Sequence, residues 1–114
     1  MSIAYNFLLR NFQNPEFCSH QLLNQSNIFD YGQKKMEEFD IRAPSANSQV
    51  GLLSGGNMQK VILAREISRP LRLLLAAQPT RGLDIHATSF IREQICNARD
   101  KGLAVLWISE DLDE

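Results

Sequence analysis

The residues from Ser54 to Asn57 are the part of the chain whose types and spacing best suit chemistry with a bound anion. Ser54 is a suitable helix N-cap, and Asn57 stands three residues later, where a capping box places a Glu or Gln. Gly55 and Gly56 carry no Cβ atom, so an anion can approach backbone N–H groups that have no partner within the helix. The apolar residues that follow recur at helical spacing: Val61, Ile62, Ala64 and Ile67. The stretch therefore predicts either an ordinary capped helix or a phosphate-binding helix start.

The composition is that of a soluble globular protein and argues against a nucleic-acid partner. The chain has 114 residues, which is the size of one small domain, and 44% of them are hydrophobic while 22% are charged. Twelve lysines and arginines nearly balance thirteen aspartates and glutamates, so no net field attracts nucleic acid or acidic lipid. No apolar run approaches the roughly 18 residues of a membrane span, and we expect a cytoplasmic location.

The cysteines and histidines do not form a metal site in the sequence. Cys18 and Cys96 lie far apart without a Cys-x-x-Cys pattern, so we predict two free thiols in a reducing compartment. His20 and His86 are also well separated and have no pattern of carboxylates or cysteines around them. We interpret both as ordinary surface or loop histidines and predict no metal ligands in this chain.

The first half of the chain predicts two helices joined by loops. The first runs from residue 1 to 12 with Ser2 as its cap, and the second from residue 27 to 39 behind Ser26, with Gly32 inside it. Residues 13–26 are predicted to form a loop with a short helical turn near residues 21–23. The apolar face of the first helix is predicted to contain Ile3, Ala4, Phe7, Leu8 and Phe12.

The second half predicts a strand, a helix and a second strand. The helix after Ser54 should end near Ser68, and residues 71–77 are apolar except for Arg72, which is typical of a strand covered on both faces in a parallel sheet. Asp84 is placed to cap a helix over residues 85–100, and Gly102 suits its C-terminal end. Residues 103–109 form the next strand, with Trp107 in the core. A crossover helix between the two makes these strands parallel.

Two linked motifs resemble the C-terminal part of an ABC-type ATPase domain. Leu-Ser-Gly-Gly at residues 53–56 is followed by a helix, an apolar strand and Pro-Thr-Arg-Gly-Leu-Asp at residues 79–84. Within that superfamily, the continuation Gly-Gly-Asn-x-Gln-Lys-Val most resembles the ATP-binding subunits of bacterial simple-sugar and nucleoside importers. Such subunits fuse two ATPase domains, and this chain resembles the second. The Ala-Ala-Gln before the proline leans toward the nucleoside branch.

The resemblance implies a fold and a division of the chain. The fold class is α/β, a fragment of a P-loop NTPase domain in which a helical subdomain precedes a βαβ part of a parallel sheet. Residues 1–52 correspond to the helical subdomain, and residues 53–114 to the signature helix and the C-terminal part of the nucleotide-binding core. The parent protein would be an ABC-type transport ATPase with ATP and Mg²⁺ as cofactors.

Three departures from the family pattern imply that this half-site is catalytically silent. The phosphate loop Gly-x-x-x-x-Gly-Lys-[Ser/Thr] does not occur in the sequence. Ala77 and Gln78 stand where the family has the Asp-Glu pair of the magnesium ion and the attacking water, and Glu110 stands where it has the switch histidine. Alanine cannot serve the metal, and glutamine takes no proton. We therefore expect that this chain alone binds neither ATP nor Mg²⁺ and is no enzyme by itself.

The signature loop, in contrast, is complete. In ABC dimers each signature loop closes over ATP bound to the other domain, so the resemblance implies nucleotide contacts in trans from Ser54, Gly55, Gly56 and Asn57. Asp84 resembles the D-loop aspartate of the same interface. The implied partners are the other ATPase domain and a transmembrane permease subunit, without nucleic acid. The parent complex would lie on the inner face of the plasma membrane.

Two alternatives remain open at the level of the sequence. The chain can be an inactive truncated product without independent activity. It can also belong to an ABC-type DNA-maintenance ATPase of the coiled-coil kind, which uses the same Leu-Ser-Gly-Gly motif. That class needs long heptad arms and usually a more basic surface, and the sequence has neither.

Overall fold

The structure is a computed structural model that describes residues 1–19 and 22–110. The chain divides into two compact units, Met1–Arg69 and Pro70–Glu114. The helix that follows Ser54 belongs to the first unit, and the predicted division of the parent domain after residue 52 stays a prediction. Among the described residues, no helix has the length and apolar character needed to cross a membrane.

The first unit contains three α-helices and a small antiparallel ladder among its described residues. Its elements are α1 (Ile3–Leu8), β1 (Cys18–Ser19), β2 (Leu22–Leu23), α2 (Gln25–Glu38), a 3₁₀ turn (Val50–Leu52) and α3 (Gly55–Ile67). β1 pairs with β2 by two residues on each side. Leu22 and Leu23 are thus extended, and the predicted helical turn there is wrong. Its remaining residue, Gln21, lies outside the described residues.

Helix α1 is shorter than its apolar periodicity predicts. The Oγ atom of Ser2 accepts a hydrogen bond from the N–H of Tyr5 at 3.3 Å, which confirms the cap. Asn11 ends the helix, because its backbone N–H donates to the carbonyl of Leu8 at 2.9 Å and its side-chain amide donates to the carbonyl of Phe7 at 3.2 Å. The chain therefore turns after Leu8, and Phe12, which periodicity places on the apolar face, is 58% exposed.

Helix α2 begins two residues before the predicted start. Its cap is Asn24 rather than Ser26, since the Oδ1 atom of Asn24 accepts a hydrogen bond from the N–H of Asn27 at 3.1 Å. Gly32 lies in the middle of the helix for a packing reason. A Cβ atom there would lie 2.9 Å from the Cβ of Ala4 and 3.0 Å from the Cβ of Ala46. Glycine thus permits close packing of α2 against α1.

The second unit is the predicted strand–helix–strand unit. β3 (Leu73–Ala77) pairs with β4 (Ala104–Ile108) in parallel, and α4 (Ile85–Asp100) connects them. Gly102 ends the helix with a φ of 99°, and its N–H donates to the carbonyl of Arg99 at 2.8 Å. The bounds of α4, the glycine stop and the parallel pairing are confirmed, and so is the α/β fold class.

One face of this sheet is exposed among the described residues. Leu74 and Ala76 of β3 are buried, whereas Leu73 and Leu75 are 58% and 61% exposed. A crossover helix covers the face on which it lies, and in this unit that helix is α4. The apolar composition of β3 is typical of a strand covered on both faces, whereas among the described residues only one face of β3 is buried. Trp107, predicted in the core, is half-buried.

Candidate functional site

The signature loop is built by the capped start of α3. Ser54 has extended backbone angles, with φ −63° and ψ 156°, and stands directly before the first helical residue. Its carbonyl accepts a hydrogen bond from the N–H of Met58 at 2.9 Å, and its Oγ atom accepts from the N–H of Asn57 at 3.5 Å. The predicted N-cap and helix start are confirmed.

The amide of Gly55 is open to an anion, whereas Gly56 is half-buried. Within residues 1–19 and 22–110, the backbone N–H groups of Gly55 and Gly56 donate to no hydrogen-bond acceptor. Gly55 is exposed, and the position of a Cβ atom there has no neighbouring heavy atom within 4 Å. Unpaired N–H groups at the start of a 13-residue helix attract negative charge, because the helix dipole adds to their own partial charges.

The side chain of Asn57 holds the serine hydroxyl in place. Its Nδ2 atom donates to the Oγ of Ser54 at 3.0 Å, and its Oδ1 atom accepts a hydrogen bond from the backbone N–H of Arg42 at 2.9 Å. A capping box would instead return the side chain to the backbone N–H of Ser54. Because Ser54 accepts both hydrogen bonds with its oxygen, its own hydroxyl proton is available to an acceptor outside the loop.

A buried lysine on α3 was not among the residues singled out in the sequence. Lys60 lies three residues after Asn57, on the same face of the helix, and is only 8% exposed. Its Nζ atom donates to the Oδ2 of Asp40 at 2.7 Å and to the carbonyl of Asp40 at 2.8 Å. In the sequence, the position of Lys60 beside the apolar Val61 is the feature that could have indicated a buried lysine. The sequence does not say which of its thirteen acidic residues pairs with this lysine.

A cleft of about 530 Å³ lies at the carboxyl ends of the two parallel strands. Ligands of open parallel sheets bind at this edge. Gln78 follows β3 directly and Glu110 comes two residues after β4, so the structure brings two of the three predicted degenerate positions to one cleft. Ala77, the third, is the exposed last residue of β3 and does not line it. The other lining residues include Thr80, Arg81, Arg92 and Ser109.

Gln78 cannot act as a base in this cleft. Its backbone has a φ of 48°, and its N–H donates to the carbonyl of Ile108 at 2.7 Å. The Nη1 atom of Arg81 lies 3.0 Å from the Oε1 of Gln78. Arginine has only donors, so the oxygen of the amide must face it and the NH₂ group is left for a ligand. Sequence reasoning missed this pair, although Pro79 between them indicates a turn that brings the two together.

The cleft has few groups suited to a metal ion. Ala77 has no side-chain oxygen, and the oxygen of Gln78 already accepts from Arg81. In the part of the chain that the structure describes, no group of three or more His, Cys, Asp or Glu side chains could hold a metal ion. His86 is exposed, and His20 lies outside the described residues. The two cysteines are free, as predicted.

Asp84 caps α4. Its Oδ1 atom accepts a hydrogen bond from the N–H of Ala87 at 3.0 Å, which confirms the predicted cap. This hydrogen bond favours the ionised form and lowers the pKa of Asp84 from its ordinary value of 3.8. The carboxylate is exposed, so it caps the helix while remaining accessible to a partner.

The lowered pKa predicts a pH dependence of stability. Since the pKa of Asp84 is lower in the folded chain than in the unfolded chain, its contribution to the free energy of unfolding is present above pH 3.8 and is lost as the pH falls through the folded-state pKa. In Asp84→Asn, the cap remains but does not titrate. Urea unfolding from pH 7 to pH 2 should therefore show a smaller acid loss for Asp84→Asn than for the unchanged chain. Equal acid losses in the two would contradict the prediction.

Comparison with known proteins finds import proteins that are similar to this chain over its whole length. The nucleoside import ATP-binding protein NupA of Lactococcus lactis subsp. cremoris is 43% identical over 114 residues, which cover all of this chain and 22% of that protein. The guanosine import ATP-binding protein NupO of Bacillus subtilis is 38% identical over 98% of this chain and 22% of its own. Relatives that are 38–43% identical over nearly the whole chain are thus sugar and nucleoside import ATP-binding proteins of the ABC type. No protein-family model matches it.

Further comparisons give another similar import protein and a solved structure with the same fold. The glucose import ATP-binding protein TsgD13 of Haloferax volcanii is 42% identical over 116 residues, which cover all of this chain and 21% of that protein. The dimeric post-hydrolysis structure of an ATP-binding cassette bound to ADP and phosphate superposes with a TM-score of 0.74 at 20% identity, over 99% of this chain and 47% of that one. The chain spans about a fifth of the length of the curated relatives it matches.

Proposed function

We propose that the chain is part of the ATP-binding protein of an ABC importer that couples ATP binding and hydrolysis to the uptake of simple sugars or nucleosides. In this role it contributes the signature loop to ATP held by the other ATPase domain. The observation that carries the proposal is the pair of unpartnered amides at Gly55 and Gly56, at the capped start of α3, among the residues that the structure describes. The similarity to import proteins supports the transporter over a DNA-maintenance ATPase.

Each residue of the loop has a distinct part in this proposal. The amides of Gly55 and Gly56 and the hydroxyl of Ser54 donate hydrogen bonds to phosphate oxygens of the nucleotide. Asn57 holds the oxygen of Ser54, so that the hydroxyl proton is the group presented to the ligand. Preorganised donors of this kind stabilise charge that develops during phosphoryl transfer without a cost of rearrangement at that moment. Asp84, exposed at the start of α4, serves the same interface as the D-loop aspartate.

The half-site of this chain itself is silent in the proposal. Ala77 offers no ligand to Mg²⁺, and Gln78 presents an NH₂ group because Arg81 binds its oxygen. Glu110 brings a negative charge to the cleft, which disfavours a phosphate. ATP and Mg²⁺ are therefore cofactors of the assembled protein, and the chain alone has no turnover. Whether it also exists as an inactive truncated product stays a prediction.

The proposed partners follow from the same interpretation. The other ATPase domain supplies the phosphate loop, and a transmembrane permease subunit carries the solute. Residues 1–52 form the helical subdomain and residues 53–114 form part of the nucleotide-binding core. The assembly lies on the inner face of the plasma membrane and uses no nucleic acid. The relatives include nucleoside and glucose import proteins, and the Ala-Ala-Gln at residues 76–78 favours a nucleoside as the solute.

Restoring the family carboxylates should not restore a second active site. We expect Ala77→Asp combined with Gln78→Glu to change ATP turnover of the assembled importer by less than about twofold. The carboxylate introduced at position 78 would lie within reach of the Arg81 guanidinium, and Glu110 would remain in place of the switch histidine. Turnover is measured as phosphate release per assembled importer at saturating ATP.

The matched control is the same double substitution with Glu110→His added. If the double variant turned over ATP about tenfold faster than the unchanged importer, the expectation would be contradicted, because Ala77 and Gln78 alone would then account for the silent half-site. If the triple variant gains turnover and the double variant does not, Glu110 is a further cause of the missing activity, as three replacements imply.

A further inference from the structure

We propose that Asp40 and Lys60 are positioning residues that set the orientation of the signature loop from the end of α2. The inference rests on the proposed function of that loop and adds two residues to it. Neither side chain is assigned to the nucleotide. They act through the backbone segment after α2, which binds the first turn of α3.

Asp40 stands at a turn with a defined backbone geometry. Its N–H donates to the carbonyl of Glu37 at 3.3 Å, and the N–H of Ile41 donates to the carbonyl of Met36 at 2.8 Å. This pair of hydrogen bonds is the Schellman ending of a helix, which requires a left-handed residue at the position of Asp40. The φ of Asp40 is 47°. Glycine is the usual residue there, because a left-handed conformation strains the backbone of other residues. The aspartate therefore indicates a side-chain contact that offsets this strain.

The Asp40 side chain contacts the buried ammonium group of Lys60. The Nζ atom donates to both the carboxylate and the carbonyl of Asp40, at 2.7 Å and 2.8 Å. A buried ammonium needs paired acceptors, because burial without them is costly. The second carboxylate oxygen of Asp40 lies 3.7 Å from the Nε of Arg42. These contacts thus connect the turn after α2 to the second turn of α3.

A further hydrogen bond connects the same turn to the signature loop itself. The backbone N–H of Arg42, two residues after Asp40, donates to the Oδ1 of Asn57 at 2.9 Å. The other end of the Asn57 amide donates to the Oγ of Ser54. Asn57 and Lys60 lie on one face of α3, so both hold the same stretch of backbone. A shift of that backbone would move Asn57 and, through it, the hydroxyl of Ser54.

Asp40→Gly tests the inference without adding backbone strain. Glycine suits the left-handed conformation, so the variant keeps the turn and loses only the carboxylate. Glu38→Gln is the matched control, since it removes a 2.7 Å ion pair with Lys35 on the same helix end, a pair that lies within α2. Asp40→Asn is the second variant, because asparagine also tolerates this conformation and keeps a neutral acceptor for Lys60.

Two measurements test the effect of Asp40→Gly on the signature loop. In the 114-residue chain, nitrogen–proton NMR spectra should show that Asp40→Gly shifts the amide resonances of Gly55 and Gly56 well beyond the changes caused by Glu38→Gln. In the assembled importer, Asp40→Gly should lower kcat for ATP by about tenfold while KM changes by less than about twofold, because the loop acts in the closed state and not in initial nucleotide binding. Asp40→Asn should fall between Asp40→Gly and the unchanged protein.

The outcomes separate this inference from the proposed function. If the Gly55 and Gly56 resonances move no more than in the control, the inference is overturned whatever the turnover. A second outcome also overturns it. In this outcome a substitution at Ser54 inactivates the importer, and Asp40→Gly moves the Gly55 and Gly56 resonances but leaves kcat unchanged. If a substitution at Ser54 leaves turnover unchanged, the proposed function fails, and the positioning of the loop is then decided by the resonances alone.

Discussion

Ser54→Arg is expected to lower ATP turnover of the assembled importer by more than about 10²-fold, the size of effect seen when a preorganised donor to developing charge is removed. The substitution removes the hydroxyl donor and the acceptor that binds both the N–H and the Nδ2 of Asn57. It also places a long side chain beside Gly55, where the structure has open space. The phosphate would then lose the serine contact and its access to the glycine amides.

Ser89→Arg is the matched control for this prediction. Ser89 is exposed on α4, and its substitution introduces the same side chain on a helix other than α3. Turnover should stay within about twofold of that of the unchanged importer. Loss of the N-cap at Ser54 costs only about 1 kcal/mol of helix stability, so the Ser54→Arg chain should remain folded by circular dichroism. A folded Ser54→Arg importer with at least half of its turnover would contradict a nucleotide contact in trans.

Phe7→Ala should destabilise the first unit by about 3–5 kcal/mol, as is usual when a buried phenylalanine side chain is truncated. Phe7 is fully buried, and its ring lies edge-on to that of Tyr31 with 6.3 Å between the centroids. Removing the ring takes away apolar burial and leaves a cavity between α1 and α2. The free energy of unfolding is measured by urea denaturation of the 114-residue chain.

Phe12→Ala provides a control of the same residue type. Phe12 follows α1 and is 58% exposed, so its truncation should change the free energy of unfolding by no more than about 0.5 kcal/mol. Periodicity alone assigns both phenylalanines to one apolar face and predicts similar losses. Similar losses in the two variants would therefore mean that α1 continues to residue 12, contrary to the turn at Asn11.

The features that could be predicted from the sequence are those set by residues a few positions apart. Ser54 and Asp84 cap helices through N–H groups three residues away, and Gly102 ends α4 through its own left-handed backbone. Helix caps and stops depend on neighbours in the chain, so the sequence contains all the information they need.

Burial could be predicted less well, because it depends on which elements pack together. Phe7 and Phe12 both continue one apolar pattern, but only a turn at Asn11 decides that the second is exposed. Leu75 of β3 has the composition of a fully covered strand and is exposed, because the crossover helix lies on one face. The role of Gly32 also depends on packing. In the sequence it lowers the helix propensity of α2, and in the structure it lets α1 pack closely against α2.

The motif at residues 53–56 can be recognised in the sequence, whereas its support is visible only in the folded chain. Lys60 and Asp40 are twenty residues apart, and Asn57 and Arg42 are fifteen apart. Hydrogen bonds over such separations depend on the path of the backbone between them, and many acidic residues could have paired with the lysine. The sequence by itself thus determined the donors of the signature loop. The tertiary structure decided that Gly55 remains exposed and that Arg42, in the segment after α2, binds the Asn57 side chain that contacts Ser54.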